Sequence, residues 1–134
     1  MVAKWHAAAT ARAWGVTMLV LTAMYPDGRE KVLRVRGGGR EVIGRRAPRL
    51  KLDDTRVSRR HARVWCERGQ WWIEDLDSTH GTRVNHDTID RPTPLYVGDE
   101  IRLGRMLLIV READAGQAHP RPAMPRAKPA PHAA

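Results

Sequence analysis

The chain has 134 residues, about one domain by length, a 42% hydrophobic share slightly below the usual range, and a net charge of +9. Its single cysteine, Cys66, excludes a disulfide framework within the chain and reads as a small strand residue. No apolar run is long enough to cross a bilayer as a helix, and six scattered histidines without a cysteine pattern argue against a zinc site.

Residues 1–13 are Ala-rich, show no periodicity, and are expected to form a flexible segment. Lys4 and Arg12 precede an apolar stretch from Ala13 to Met24 that superficially resembles a signal-peptide core. Thr17 and Thr22 interrupt it, and it ends in the turn Tyr25-Pro26-Asp27-Gly28 instead of a small-residue cleavage site. Thr17–Met24 therefore reads as the first strand, and the protein as cytoplasmic. A hairpin through Pro26-Asp27-Gly28 leads to Lys31–Val35, and Gly37-Gly38-Gly39 breaks the chain before Glu41-Val42-Ile43.

Leu50–Leu52 follows a loop containing Pro48, and His61–Glu67 and Gln70–Leu76 flank the tight turn Arg68-Gly69. Arg83–Asn85, Pro94–Val97, Glu100–Leu103 and Met106–Arg111 complete the strand pattern, with Gly98-Asp99 and Gly104-Arg105 as turns. Short strands with frequent turns predict an all-β sandwich over residues 14–112. In Trp71-Trp72 adjacent rings fall on opposite faces, so one is expected in the core and the other at an edge or on the surface. Residues 113–134 hold many Pro and Ala but no branched aliphatic or aromatic residue, and are expected to be a disordered tail. Within it Pro125-Arg126-Ala127-Lys128-Pro129 has the alternative reading of a ligand for a proline-binding domain.

Two polar segments stand out at strand ends: Ser58-Arg59-Arg60-His61, and Asp77-Ser78-Thr79-His80-Gly81-Thr82, with Gly44-Arg45 upstream. They supply guanidinium and hydroxyl groups, which bind phosphate oxygens by charge-assisted and neutral hydrogen bonds respectively. The charge distribution agrees. Residues 45–60 carry Arg45, Arg46, Arg49, Lys51, Arg56, Arg59 and Arg60 against only Asp53 and Asp54, which accounts for the whole net charge of residues 14–112. A simple excess of arginine in loops is the blander explanation.

The ordered pattern Gly44-Arg45, Val57-Ser58-Arg59-Arg60-His61-Ala62 and Ile73 through Asn85 resembles the forkhead-associated (FHA) domain family. Leu95-Tyr96-Val97-Gly98-Asp99-Glu100-Ile101-Arg102-Leu103-Gly104 resembles that family's later stretch, so the likeness extends over residues 17–112. It implies a sandwich of two twisted, mainly antiparallel sheets with the binding loops at one end. It also implies recognition of phosphothreonine in a partner protein made by an upstream Ser/Thr kinase, with no enzyme activity, cofactor, metal or membrane contact.

On this resemblance Arg45, Ser58, Arg59, Thr79 and His80 contact the phosphopeptide, and Gly44, His61, Gly81 and Asn85 support the site. Ser58 is expected to donate both its hydroxyl and its backbone N–H to phosphate, and Arg60 to point elsewhere. His61 is expected to brace the loop backbone; a Ser58–His61 nucleophile–base pair has poor geometry three residues apart. His80 departs from the family, which usually has Asn there to contact the ligand backbone. Phosphate-independent protein association remains an alternative, as does nucleic-acid binding, although the aromatics are not interleaved with basic residues.

Overall fold

The computed structural model describes residues 17–114, so the flexible segment expected at 1–13, and the tail beyond residue 114, lie outside the described residues. Among the described residues the chain forms eleven β-strands and no helix. They are β1 (Met18–Met24), β2 (Glu30–Arg36), β3 (Glu41–Gly44), β4 (Leu50–Lys51), β5 (Ala62–Glu67), β6 (Gln70–Asp75), β7 (Thr82–Val84), β8 (Asp87–Thr88), β9 (Thr93–Leu95), β10 (Glu100–Leu103) and β11 (Met106–Asp114). One sheet has the order β2-β1-β11-β10-β7-β8 and the other β4-β3-β5-β6-β9. Their ladders are antiparallel except for the short parallel pair β3–β4.

One face of each main strand turns inward, with runs of buried neighbours at Leu21–Ala23 of β1 and Val64–Trp65 of β5. Leu19, Leu21 and Ala23 of β1 and Met106, Leu108 and Val110 of β11 meet Ala62 and Val64 of β5 and Trp71 and Ile73 of β6 in one core. Each fully buried aliphatic side chain contributes about 1.5–3 kcal/mol. Trp71 is the core member of its pair. Trp72 stands across from Trp65 and Pro94 on the outer face, where the Arg40 guanidinium lies 4.3 Å from the Trp65 ring.

Several details differ from the sequence reading, among them the strand expected at Pro94–Val97, which runs over Thr93–Leu95. Strand β8 is an addition, reached through a hairpin whose Asn85 and His86 both adopt positive φ, the backbone a tight two-residue turn requires. Strand β11 runs to Asp114, past the expected tail boundary at 113, because Ala113 and Asp114 pair with Leu19 and Met18. Leu52 is not part of β4; its N–H donates to Gly44 O at 3.0 Å.

Register positions the loops. Ile43 pairs with Ala62 and Ala62 with Asp75, which sets Gly44, His61 and Leu76 side by side at one end of their sheet. Thr82, paired with Leu103, continues from there into the other sheet. The segments after β3, between β4 and β5, and between β6 and β7 therefore converge at one end of the sandwich.

Candidate functional site

Gly44 fixes how closely the first two loops approach. A Cβ there would collide with the carbonyl oxygen of Arg59, a backbone atom that cannot step aside. The next two residues continue the contact: Arg45 N–H donates to Ser58 O at 3.0 Å, and Arg46 N–H to Arg59 O at 3.1 Å. Arg45 Nε reaches back to Val57 O at 3.0 Å, which lays the arginine stem along the loop that carries Ser58. A guanidinium has five N–H groups, so the terminal nitrogens of Arg45 retain four beyond this bond.

Ser58 links three segments. Its Oγ accepts the N–H of Thr79, 21 residues away, at 3.0 Å, and keeps its own proton to donate. Its backbone N–H donates to His61 Nδ1 at 3.0 Å. That N–H is therefore committed inside the protein, and the expectation that it donates to phosphate is corrected. The Thr79 N–H is committed likewise, which leaves the exposed Thr79 hydroxyl as the group this residue presents.

His61 is fully buried, and its second nitrogen, Nε2, lies 2.8 Å from Gly81 O. Because Nδ1 must accept the Ser58 N–H, the ring proton sits on Nε2 and is donated to Gly81. The ring meets the serine's backbone and not its hydroxyl, and so clamps two loops together. Burial pushes the imidazole below its usual value, the neighbouring His80 acts in the same direction, and the Gly81 carbonyl and the Asp75 charge oppose it.

The loop between β6 and β7 has its own internal frame, which the sequence reading did not identify. Asp75 Oδ1 accepts the hydroxyls of Ser78 and of Thr82, the latter at 2.7 Å, while Oδ2 accepts the Ser78 N–H at 3.1 Å. Ser78 Oγ in turn accepts the Gly81 N–H at 2.9 Å. Asp77 and Gly81 both take positive φ, 60° and 83°, which tightens the bend. Burial acts to raise the Asp75 carboxyl, but the Ser78 and Thr82 hydroxyls, the Ser78 N–H and His61 outweigh it and hold it low. A polar residue three positions before a serine at a strand end is the local signal for such a turn.

A second brace also went unseen. Arg105, in the turn between β10 and β11, donates through Nε and Nη2 to Asp54 Oδ1 at 3.2 and 2.8 Å, and its N–H meets Oδ2 at 3.3 Å. Asp54 is only 5% exposed, and this pairing ties the loop before Ser58 to the opposite sheet.

Arg45, Ser58, Arg59, Thr79 and His80 thus lie on loops that the structure joins directly. Arg59 and His80 are exposed, and Arg45 is half-buried. Asn85 is the outlier. Its side chain bonds Asp99 Oδ1 and the Glu100 N–H at 2.9 and 3.0 Å, at the far end of β7 from Gly81, so its support of the loops is indirect.

The FHA domain family profile matches residues 41–104. The glycogen accumulation regulator GarA of Mycolicibacterium smegmatis is 41% identical over 58 residues, covering 43% of this chain and 36% of that protein. The chain thus spans about a third of that curated relative. A structure described as a structural and functional analysis of phosphothreonine-dependent FHA domain interactions is similar at TM-score 0.60 and 36% identity, covering 69% of this chain and 95% of that one. The FhaA FHA domain complexed with the intracellular domain of Rv3910 is similar at TM-score 0.59 and 37% identity, covering 68% and 99%.

Proposed function

We infer the function from one premise: the chain belongs to the forkhead-associated (FHA) domain family. We propose that its loop cluster binds phosphothreonine in a partner protein, downstream of a Ser/Thr kinase in the cytoplasm, as an interaction module without catalysis. The observation that carries this is the Ser58–Thr79 bond together with the Arg45–Ser58 bond. They bring a guanidinium and two hydroxyls together on loops held by a rigid sandwich, so that little ordering entropy is lost on binding.

Arg45 and Arg59 supply positive charge to the phosphate, and the Ser58 and Thr79 hydroxyls donate to its oxygens. His80 lies beside the ligand backbone, where its ring offers one donor and one acceptor in place of an amide. Gly44, His61 and Gly81 hold the loops, and Asn85 stiffens the strand that follows them. The preference for threonine rests on the family and on the phosphothreonine dependence described for the similar structure.

The test is titration of the full chain with paired threonine peptides, phosphorylated and unphosphorylated. Binding of the phosphorylated member alone supports the proposal. Equal affinity for both favours the second reading, phosphate-independent association, to which the substitution of His80 for the usual Asn lends weight.

A further inference from the structure

Resting on the phosphothreonine reading, we propose that this site selects ligands carrying a second anionic group, a carboxylate or another phosphate, next to the phosphothreonine. The supporting feature is a group of exposed cations without counter-charges. Arg46 follows Arg45 out of β3, and Arg59 and Arg60 follow Ser58; all three side chains are exposed. Among the described residues none of the three forms an ion pair. Two other arginines near the site are matched, Arg49 with Glu41 at 3.3 Å and Arg105 with Asp54 at 2.8 Å.

The backbone prevents this group from dispersing at its roots. Arg46 N–H is bonded to Arg59 O and Arg45 N–H to Ser58 O, so the two loops carry their arginines on adjacent rungs. Like charges held close repel one another, and an anion placed among them relieves that repulsion as well as forming new pairs. Arg45 and Arg59 serve the phosphate itself. Arg46 and Arg60 have no role there and remain for the residues on either side of it. Such rim charges act mainly by choosing among partners and by speeding encounter.

The test uses the full chain and fluorescent peptides that share one phosphothreonine. Its flanks are neutral in the first, two glutamates in the second, a second phosphothreonine in the third and two lysines in the fourth. Two glutamates are expected to tighten binding by about threefold or more, because each exposed pair adds only modestly. The second phosphate tightens it further and the lysines weaken it. These differences shrink at high salt. They also shrink in the double variant Arg46→Gln, Arg60→Gln, which keeps its affinity for the neutral-flanked peptide. Flank-independent affinity in the wild type overturns the inference and leaves the phosphothreonine reading standing. So does a flank preference undiminished in the double variant. Equal binding of the glutamate peptide made without its phosphate overturns both the inference and the phosphothreonine reading. Failure of every phosphorylated peptide to bind overturns both.

Discussion

Ser58 and His61 are joined by one hydrogen bond, in which the serine's backbone N–H, not its hydroxyl, meets ring nitrogen Nδ1 at 3.0 Å. This bond assigns the two residues different work. The histidine uses both nitrogens to hold loop backbone, and the serine hydroxyl is left to bridge toward Thr79 and outward.

His61→Ala removes a fully buried ring and strands the Ser58 N–H and the Gly81 carbonyl. An unsatisfied buried group costs about 1–3 kcal/mol, and the cavity adds to it. Urea denaturation should show lower stability, and phosphopeptide titration weaker binding. A fully stable variant that loses only binding would mean His61 contacts the ligand directly.

The same ring predicts a pH dependence. Burial lowers its folded pKa beneath the unfolded value near 6.5. Between the two values the unfolded chain takes up a proton that the folded chain refuses, so stability rises with pH across that window. The contribution is complete above about pH 6.5 and is lost as pH falls through the folded value. Denaturation at pH 7.5 and pH 5.5 should therefore show a larger acid loss in the wild type than in His61→Gln. Parallel losses would assign the effect to other groups. Asp75, held low, titrates at more acidic pH and stays out of this comparison.

Gly44→Ala should destabilise the fold and distort the site together. The new methyl meets the Arg59 carbonyl and lies 3.0 Å from the Ser58 carbonyl oxygen, both backbone atoms. Overpacking of this kind costs about 1–3 kcal/mol. Thermal melting reads the loss. A variant with wild-type melting and binding would show that the loops can part at this point.

His80→Asn tests the family departure. If the ring lies beside the ligand backbone, the amide supplies one more hydrogen bond and tightens binding by about 0.5–1.5 kcal/mol. Wild type and variant should be compared at the same pH, because the phosphate itself loses charge on acidification. Equal affinities throughout would place His80 away from the ligand.

How much was legible beforehand follows from the range of each interaction. The apolar stretch ended by Tyr25-Pro26-Asp27-Gly28 located the first strand, and the polar–apolar runs flanking Arg68-Gly69 located β5 and β6, because these signals are written locally. Strand β8 carried no such signal; its turn depends on Asn85 and His86 at positive φ, without the glycine that usually marks it. Ala113 and Asp114 read as tail because their strand character comes only from pairing with β1. The site loops were found by motif, yet the Asp75 frame and the Asp54–Arg105 pair were missed. The second joins residues 51 apart, and separation of that order leaves no local trace. Ser58's backbone was misassigned for a related reason: sequence order cannot reveal which donors the fold has already used.

The central claim is that Arg45 and Ser58 bind phosphate on the ligand. It is tested most directly by the affinity of wild type, Arg45→Ala and Ser58→Ala for one phosphothreonine peptide, with thermal melts of all three. Charge-assisted hydrogen bonds are worth about 1.5–3 kcal/mol, so each variant should bind about tenfold or more weakly while melting near the wild-type temperature. Unchanged affinity in both variants, with melting intact, would contradict the assignment.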